Sequence, residues 1–259
     1  MRITTRIEPR DLLGGLGAAI HETGHALYEQ GRPHAWDGTT VSRAASFGLH
    51  ESQSRFWENY IGRSRSFSRW LAPRIGKHTG VPVEGEALYR ASNRVARGLI
   101  RVRADEVTYN LHIVIRFELE LALFERTLDV DDLPEAWNAR YADYLGVTPP
   151  DAAQGVLQDV HWSGAAFGYF PSYTLGNLYA ASLGRALLER QPDLWARVEA
   201  GDFAPILAFL RERVHAKGHL EEAPSIVRDA VGERDHVEDL LAYLWGRHGA
   251  LYGVERPRP

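Results

Sequence analysis

The stretch DLLGGLGAAIHETGHALYEQG, Asp11–Gly31, decides how the chain is read. Asp11 suits a helix cap, Leu13, Leu16, Ile20 and Leu27 recur at spacings of three, four and seven, and Gly31 supplies a stop. Opposite the apolar side of that helix lies His21-Glu22-Thr23-Gly24-His25, an H-E-x-x-H pattern. Two histidines four residues apart stand one above the other on a helical face, where they can grip a single ion. Glu22 lies about 100° round the helix from His21, so its carboxylate can reach a water held by that ion without itself being a ligand. The bland alternative is a pair of solvated or core histidines.

A third ligand must come from elsewhere, because Tyr28 and Gly31 occupy the positions where a metzincin extension needs glycine and histidine. His50 and Glu51 are adjacent on the next helical run. A carboxylate there completes a His₂Glu catalytic zinc site with its fourth position open. His50 is the competing ligand, and an exposed ion pair from Glu51 to Arg55 is the competing role for the carboxylate. Zinc in such a site lowers the pKa of water toward 7 and polarises a carbonyl, while Glu22 can relay a proton to a leaving amine. The reaction class is hydrolysis, with a peptide bond as the target.

Helical periodicity extends over the rest of the sequence. Helices are expected over Ser42–Leu71, Glu86–Arg97, Asp105–Thr127, from Leu133 onward, and over Tyr173–Arg190, Pro192–Ala200, Phe203–Val214 and Val237–His248, with a break from Pro73 to Gly85. Strand signals are confined to Arg2–Arg6, a piece near Val81 and Leu99–Arg103. The expected fold is mainly α, a helical, gluzincin-like zincin lobe with at most a few short strands, forming a single domain over residues 1–259.

Composition narrows the function classes. The 259 residues carry 34 acidic and 30 basic side chains, with 44% hydrophobic residues, which is ordinary for a globular chain. The absence of cysteine excludes disulfides, thiolate metal sites and a cysteine nucleophile together. Between Ser52 and Ala104, eleven basic residues face three acidic ones, so that window nets +8 and the remainder −12. Overall acidity, only two lysines and no nucleic-acid module argue against a nucleic-acid partner. Arginines that recognise carboxylates account for the window as economically. Apolar runs are too short for a bilayer and MRITTR lacks a signal-peptide core, so no membrane partner and a cytoplasmic location are expected.

Four segments together resemble the carboxypeptidase Taq family of metallocarboxypeptidases. They are HETGHALYEQG (His21–Gly31), LHESQSRFWEN (Leu49–Asn59), IRVRADEVTYNLH (Ile100–His112) and GVLQDVHWSGAAFGYFPSYTLGNLYA (Gly155–Ala180). They match that family's H-E-x-x-H, H-E-S-Q, I-R-x-x-A-D and G-x-x-Q-D-x-H-W signatures in order. The resemblance implies removal of C-terminal amino acids from peptide substrates with zinc, or cobalt, in the site. It implies His21, His25 and Glu51 as metal ligands and Glu22 as general base.

An exopeptidase has to recognise a free α-carboxylate, a task suited to a bidentate arginine. Arg101 is the first choice and Arg103, on a variable position of the motif, ranks below it. Gln158 and His161 are implied to line the site, with His161 stabilising the oxyanion or donating a proton. Tyr169 and Tyr173 are candidate hydroxyl donors, and Asp105 and Asp159 orient other groups.

Members of that family have chains about twice this long, and the match is to their C-terminal half. Their H-P-F motif has no counterpart here, and D-x-R-x-T survives only as Arg2 and Thr4. The expectation is a catalytic, zinc-bearing half completed by a separately encoded N-terminal half, by homodimerisation, or by both. The alternative is a catalytically weak or inactive zinc-binding helical interaction protein, against which the intact Glu22 argues.

Overall fold

A computed structural model describes residues 2–5, 8 and 10–257 of the chain. The helices are α1 (Leu12–Gly31), α2 (Phe47–Arg55), α3 (Arg65–Thr79), α4 (Gly85–Ser92), α5 (Tyr109–Phe124), α6 (Leu133–Leu145), α7 (Pro171–Arg190), α8 (Leu194–Ala200), α9 (Ala204–Arg213), α10 (Ala223–Val231) and α11 (His236–Leu244). A π-helical turn, Phe56–Ile61, continues α2, and a second, Trp245–Gly249, continues α11. The fold is mainly α as expected. No strand forms among the described residues: the piece near Val81 is irregular and Arg101–Arg103 is a 3₁₀ turn. Of the alternating Arg2–Arg6 stretch, residues 2–5 are irregular and Arg6 lies outside the described residues. None of the helices is long and apolar enough to cross a membrane.

Local chemistry explains most boundaries. Asp11 caps α1, its Oδ1 accepting from the Gly14 N–H at 2.8 Å. The run expected from Ser42 to Leu71 is broken into α2, the π turn and α3, with Ser46 and Ser64 capping α2 and α3. Helix α3 passes through Pro73, where a break was expected, and ends only at Gly80, which has φ +72°. Pro73 is exposed, so the backbone carbonyl that it leaves unpaired can turn to water.

The chain divides into two compact units, Met1–Asn93 with Leu175–Pro259, and Arg94–Thr174. In the first, Tyr28, Leu49, Phe56, Ile61, Leu183, Leu187, Ile206 and Leu210 are fully buried or nearly so in one core. Each such side chain contributes about 1.5–3 kcal/mol of hydrophobic stabilisation. The second unit packs α5 on α6 through Ile115, Leu119, Trp137, Tyr141 and Leu145.

Each unit also buries a neutral histidine. His215 is fully enclosed, its Nε2 2.9 Å from the Gln53 Oε1, and burial with nearby Arg211 pushes its pKa down to about 3. His112 pairs with the Tyr141 hydroxyl at 3.0 Å, and burial with Arg116 brings it down to about 4. An unfolded histidine takes its proton near pH 6.5, so below that pH the unfolded chain binds protons that the fold refuses. Stability is therefore complete above about pH 6.5 and is lost as the pH falls. The urea midpoint is expected to drop between pH 7 and pH 5, at about 1–2 kcal/mol per histidine. A His215→Gln variant should flatten that dependence, and an unchanged midpoint across this range in the native chain would contradict it.

Candidate metal centre

Helix α1 carries two ligand candidates and α2 the third, so the approach of these helices sets the site. They meet at Gly24. A Cβ there would stand 2.6 Å from the Gln53 carbonyl oxygen and from the Ser54 Cα, so only glycine fits the contact. Glu51 is enclosed in the same way by α7, where a Cβ on Gly176 would lie 2.6 Å from its Cγ. The Glu51 side chain is consequently 9% exposed, which fixes where its carboxylate can point.

The two imidazoles cross edge to face, with centroids 4.8 Å apart. The Glu51 Oε2 stands 3.8 Å from the His21 Nε2 and 3.5 Å from the His25 Nε2. One donor atom from each of the three residues lies within 4.8 Å of the others, the one such cluster among the described residues. Two imidazole nitrogens and one carboxylate oxygen form a donor set that fits a zinc-type ion. The second atom of each ligand candidate is also committed. The His25 Nδ1 donates to the His50 carbonyl at 3.1 Å, and because a carbonyl only accepts, the His25 Nε2 keeps its lone pair. The Glu51 Oε1 accepts from the Arg55 Nε at 2.7 Å, which leaves Oε2 toward the histidines. Burial acts to raise the Glu51 pKa, but the neighbouring imidazoles and the Arg55 charge hold it down to about 2.

The ion pair from Glu51 to Arg55 therefore coexists with an inward-facing oxygen. His50 turns its Nε2 to the Glu29 Oε1 at 3.0 Å and stacks on His25 at 4.5 Å, outside the donor cluster. Glu22 is half-buried and has no hydrogen-bond or ion-pair partner among the described residues. Sequence reasoning missed Glu58, whose Oε2 lies 2.9 Å from the His21 Nδ1. Its spacing of seven residues from Glu51 was the available signal, since it places both on one helical face.

The second unit gathers Arg101, Gln158, His161, Tyr169 and Tyr173. The Arg101 Nε and Nη2 donate to the Asp159 Oδ1 at 3.0 and 2.7 Å, and its Nη1 donates to the Tyr109 hydroxyl at 3.1 Å. Arg101 is thus buried with a carboxylate already in hand, whereas Arg103 is exposed. Arg116 donates to the other Asp159 oxygen at 2.7 Å, so two guanidinium charges meet one carboxylate. Gln158 is spent on main chain, accepting from the Arg101 N–H at 2.9 Å and donating to the Leu99 carbonyl at 3.0 Å. The His161 Nε2 lies 3.1 Å from the Tyr173 hydroxyl, and the Tyr169 ring packs 5.4 Å from both rings. Asp105 caps the turn before α5 through the backbone of Val107 and Thr108.

The family model for carboxypeptidase Taq (M32) metallopeptidases matches residues 1–248. The chain is 46% identical over 255 residues to Carboxypeptidase 1 of Bacillus subtilis, covering 97% of this chain and 51% of that protein. It is 48% identical to Thermostable carboxypeptidase 1 of Thermus thermophilus, covering 98% and 50% respectively. An M32 carboxypeptidase structure from Deinococcus radiodurans superposes with a TM-score of 0.93 at 42% identity, covering 98% of this chain and 52% of that one. The chain belongs to the carboxypeptidase Taq (M32) metallopeptidase family. It spans about half the length of the curated relatives that it matches.

Because α1 and α2 touch through a glycine, Gly24→Ala is expected to cost about 1–3 kcal/mol by overpacking. By parting the helices that carry the ligand candidates it should also weaken binding of a divalent metal roughly tenfold. Thermal unfolding and competition with a chelator read the two effects, and a variant unchanged in both would refute the close-contact account.

Proposed function

We propose that this chain is the metal-bearing catalytic half of a metallocarboxypeptidase that hydrolyses the C-terminal peptide bond of peptides. The observation that carries the reading is the convergence of the His21 Nε2, His25 Nε2 and Glu51 Oε2, beside Glu22 on the same helix, which has no partner among the described residues. Zinc, or cobalt, held by those three residues would supply Lewis acidity that polarises the scissile carbonyl and acidifies water. Glu22 takes the proton of the attacking water and returns it to the leaving amine. A carboxylate with no partner among the described residues is available for that exchange, and its place on α1 keeps it beside His21 and His25.

In this reading, the paired His161 and Tyr173 supply a donor to the developing oxyanion, with Tyr169 packing the imidazole in place. Arg101 attracts the substrate α-carboxylate. The support is the surplus positive charge of Arg101 and Arg116 over Asp159, and Gln158 fixes the Arg101 backbone. The chain matches about half of each relative's length, and in this reading a separately encoded N-terminal half or a second copy of the chain completes the site.

Two measurements test this function. Mixing the chain with the N-terminal half of the Bacillus subtilis relative should raise C-terminal trimming of a peptide above that of either part alone. In whichever preparation is active, Glu22→Gln should lower the rate by about 10²–10⁴-fold while zinc affinity stays within about twofold, since Glu22 is not a ligand. A Glu22→Gln rate equal to that of the native chain would exclude the catalytic assignment.

A further inference from the structure

We propose that Glu58 is the positioning residue that orients His21 for metal binding, with Arg55 and Arg63 fixing its carboxylate in place. The proposal rests on the reading of His21, His25 and Glu51 as a metal centre.

The geometry is specific to a ligand's outer nitrogen. The Glu58 Oε2 lies 2.9 Å from the His21 Nδ1, on the ring position away from Glu51. The same carboxylate accepts from the Arg63 Nη2 at 3.2 Å through Oε1 and from the Arg55 Nη1 at 3.4 Å through Oε2. Its side chain is 13% exposed and is enclosed between the His21 ring and the two guanidinium groups, which pair it as a carboxylate. An ionised carboxylate can only accept, so the shared proton belongs to the His21 Nδ1 and the Nε2 lone pair is left facing Glu51. In the other tautomer, Nδ1 would bring a lone pair against an anion and Nε2 would turn an N–H toward the ion's position.

The local fold makes this support inseparable from the third ligand. Residues 51, 55 and 58 follow at spacings of four and three, so α2 and its π turn carry them on one face. Arg55 joins the two carboxylates, donating to the Glu51 Oε1 at 2.7 Å and reaching Glu58 with its other nitrogen. One short segment thus supplies a ligand, the group that aims a ligand from α1, and a cation shared by both.

Two experiments decide the matter. Long-range ¹H–¹⁵N spectra of the metal-free native chain, labelled at histidine, should show the neutral His21 ring protonated on Nδ1 and bare on Nε2. A His21 protonated on Nε2 overturns the proposal, whatever the variants do. Zinc affinity by chelator competition should fall about tenfold in Glu58→Gln, which keeps an acceptor, and nearer a hundredfold in Glu58→Met, which keeps none. Circular dichroism identifies folded variants. Glu51→Gln serves as the reference. If it weakens zinc binding while both folded Glu58 variants bind as the native chain does, the positioning role is wrong. If Glu51→Gln also binds normally, the metal centre itself is wrong.

Discussion

Everything at the centre depends on how closely α1 and α2 approach. Two ligand candidates stand on one helix and the third on the other, so their separation follows from how the helices pack. Contact of Gly24 with the main chain of Gln53 and Ser54 brings the helix axes nearer than any side chain would permit. Gly176 applies the same device from α7, closing on the Glu51 stem. Two missing side chains thus help to converge the imidazoles and the carboxylate. In an interior packed to crystal-like density, such a contact has few ways to relax.

Charge is arranged with the same economy. Carboxylates lose hydration on burial and remain ionised only where cations and donors replace it. Glu51 and Glu58 are both enclosed, and Arg55 and Arg63 balance them within one segment. The second unit inverts the proportion, setting Arg101 and Arg116 against the single Asp159. One cluster is thus close to neutral before any cation arrives, while the other retains a positive charge suited to an anion.

Much of this was legible in the sequence, and what was not has identifiable causes. Helix α1 could be read from its cap, periodicity and stop because all three signals are local. The seam within the Ser42–Leu71 run could not, since a π turn keeps helical periodicity while changing register at Phe56. Pro73 was misleading because its cost depends on which way its surroundings face, a tertiary property. Helix α10 escaped notice although Ala223, Ile226, Val227 and Ala230 follow helical spacing, since Pro224 reads equally as a break or a first turn. At the site, spacing left His50 and Glu51 as rivals, for neighbouring residues differ only in direction. The direction is set by Glu29 and Arg55, one on another helix and one a turn away. The Asp159 partnership of Arg101 spans 58 residues and leaves no trace in local pattern.

The contact from the His25 Nδ1 to the carbonyl of residue 50 has a consequence for how such a centre tolerates change. Glu58 can be lost by one codon substitution, but a main-chain oxygen belongs to every amino acid. Replacing the His50 side chain leaves the acceptor behind, so side-chain scanning is blind to half of the scaffolding around the two imidazoles. The two histidines are accordingly unequal in mutational exposure: the orientation of His21 is hereditary in a side chain, and that of His25 in the path of the helix.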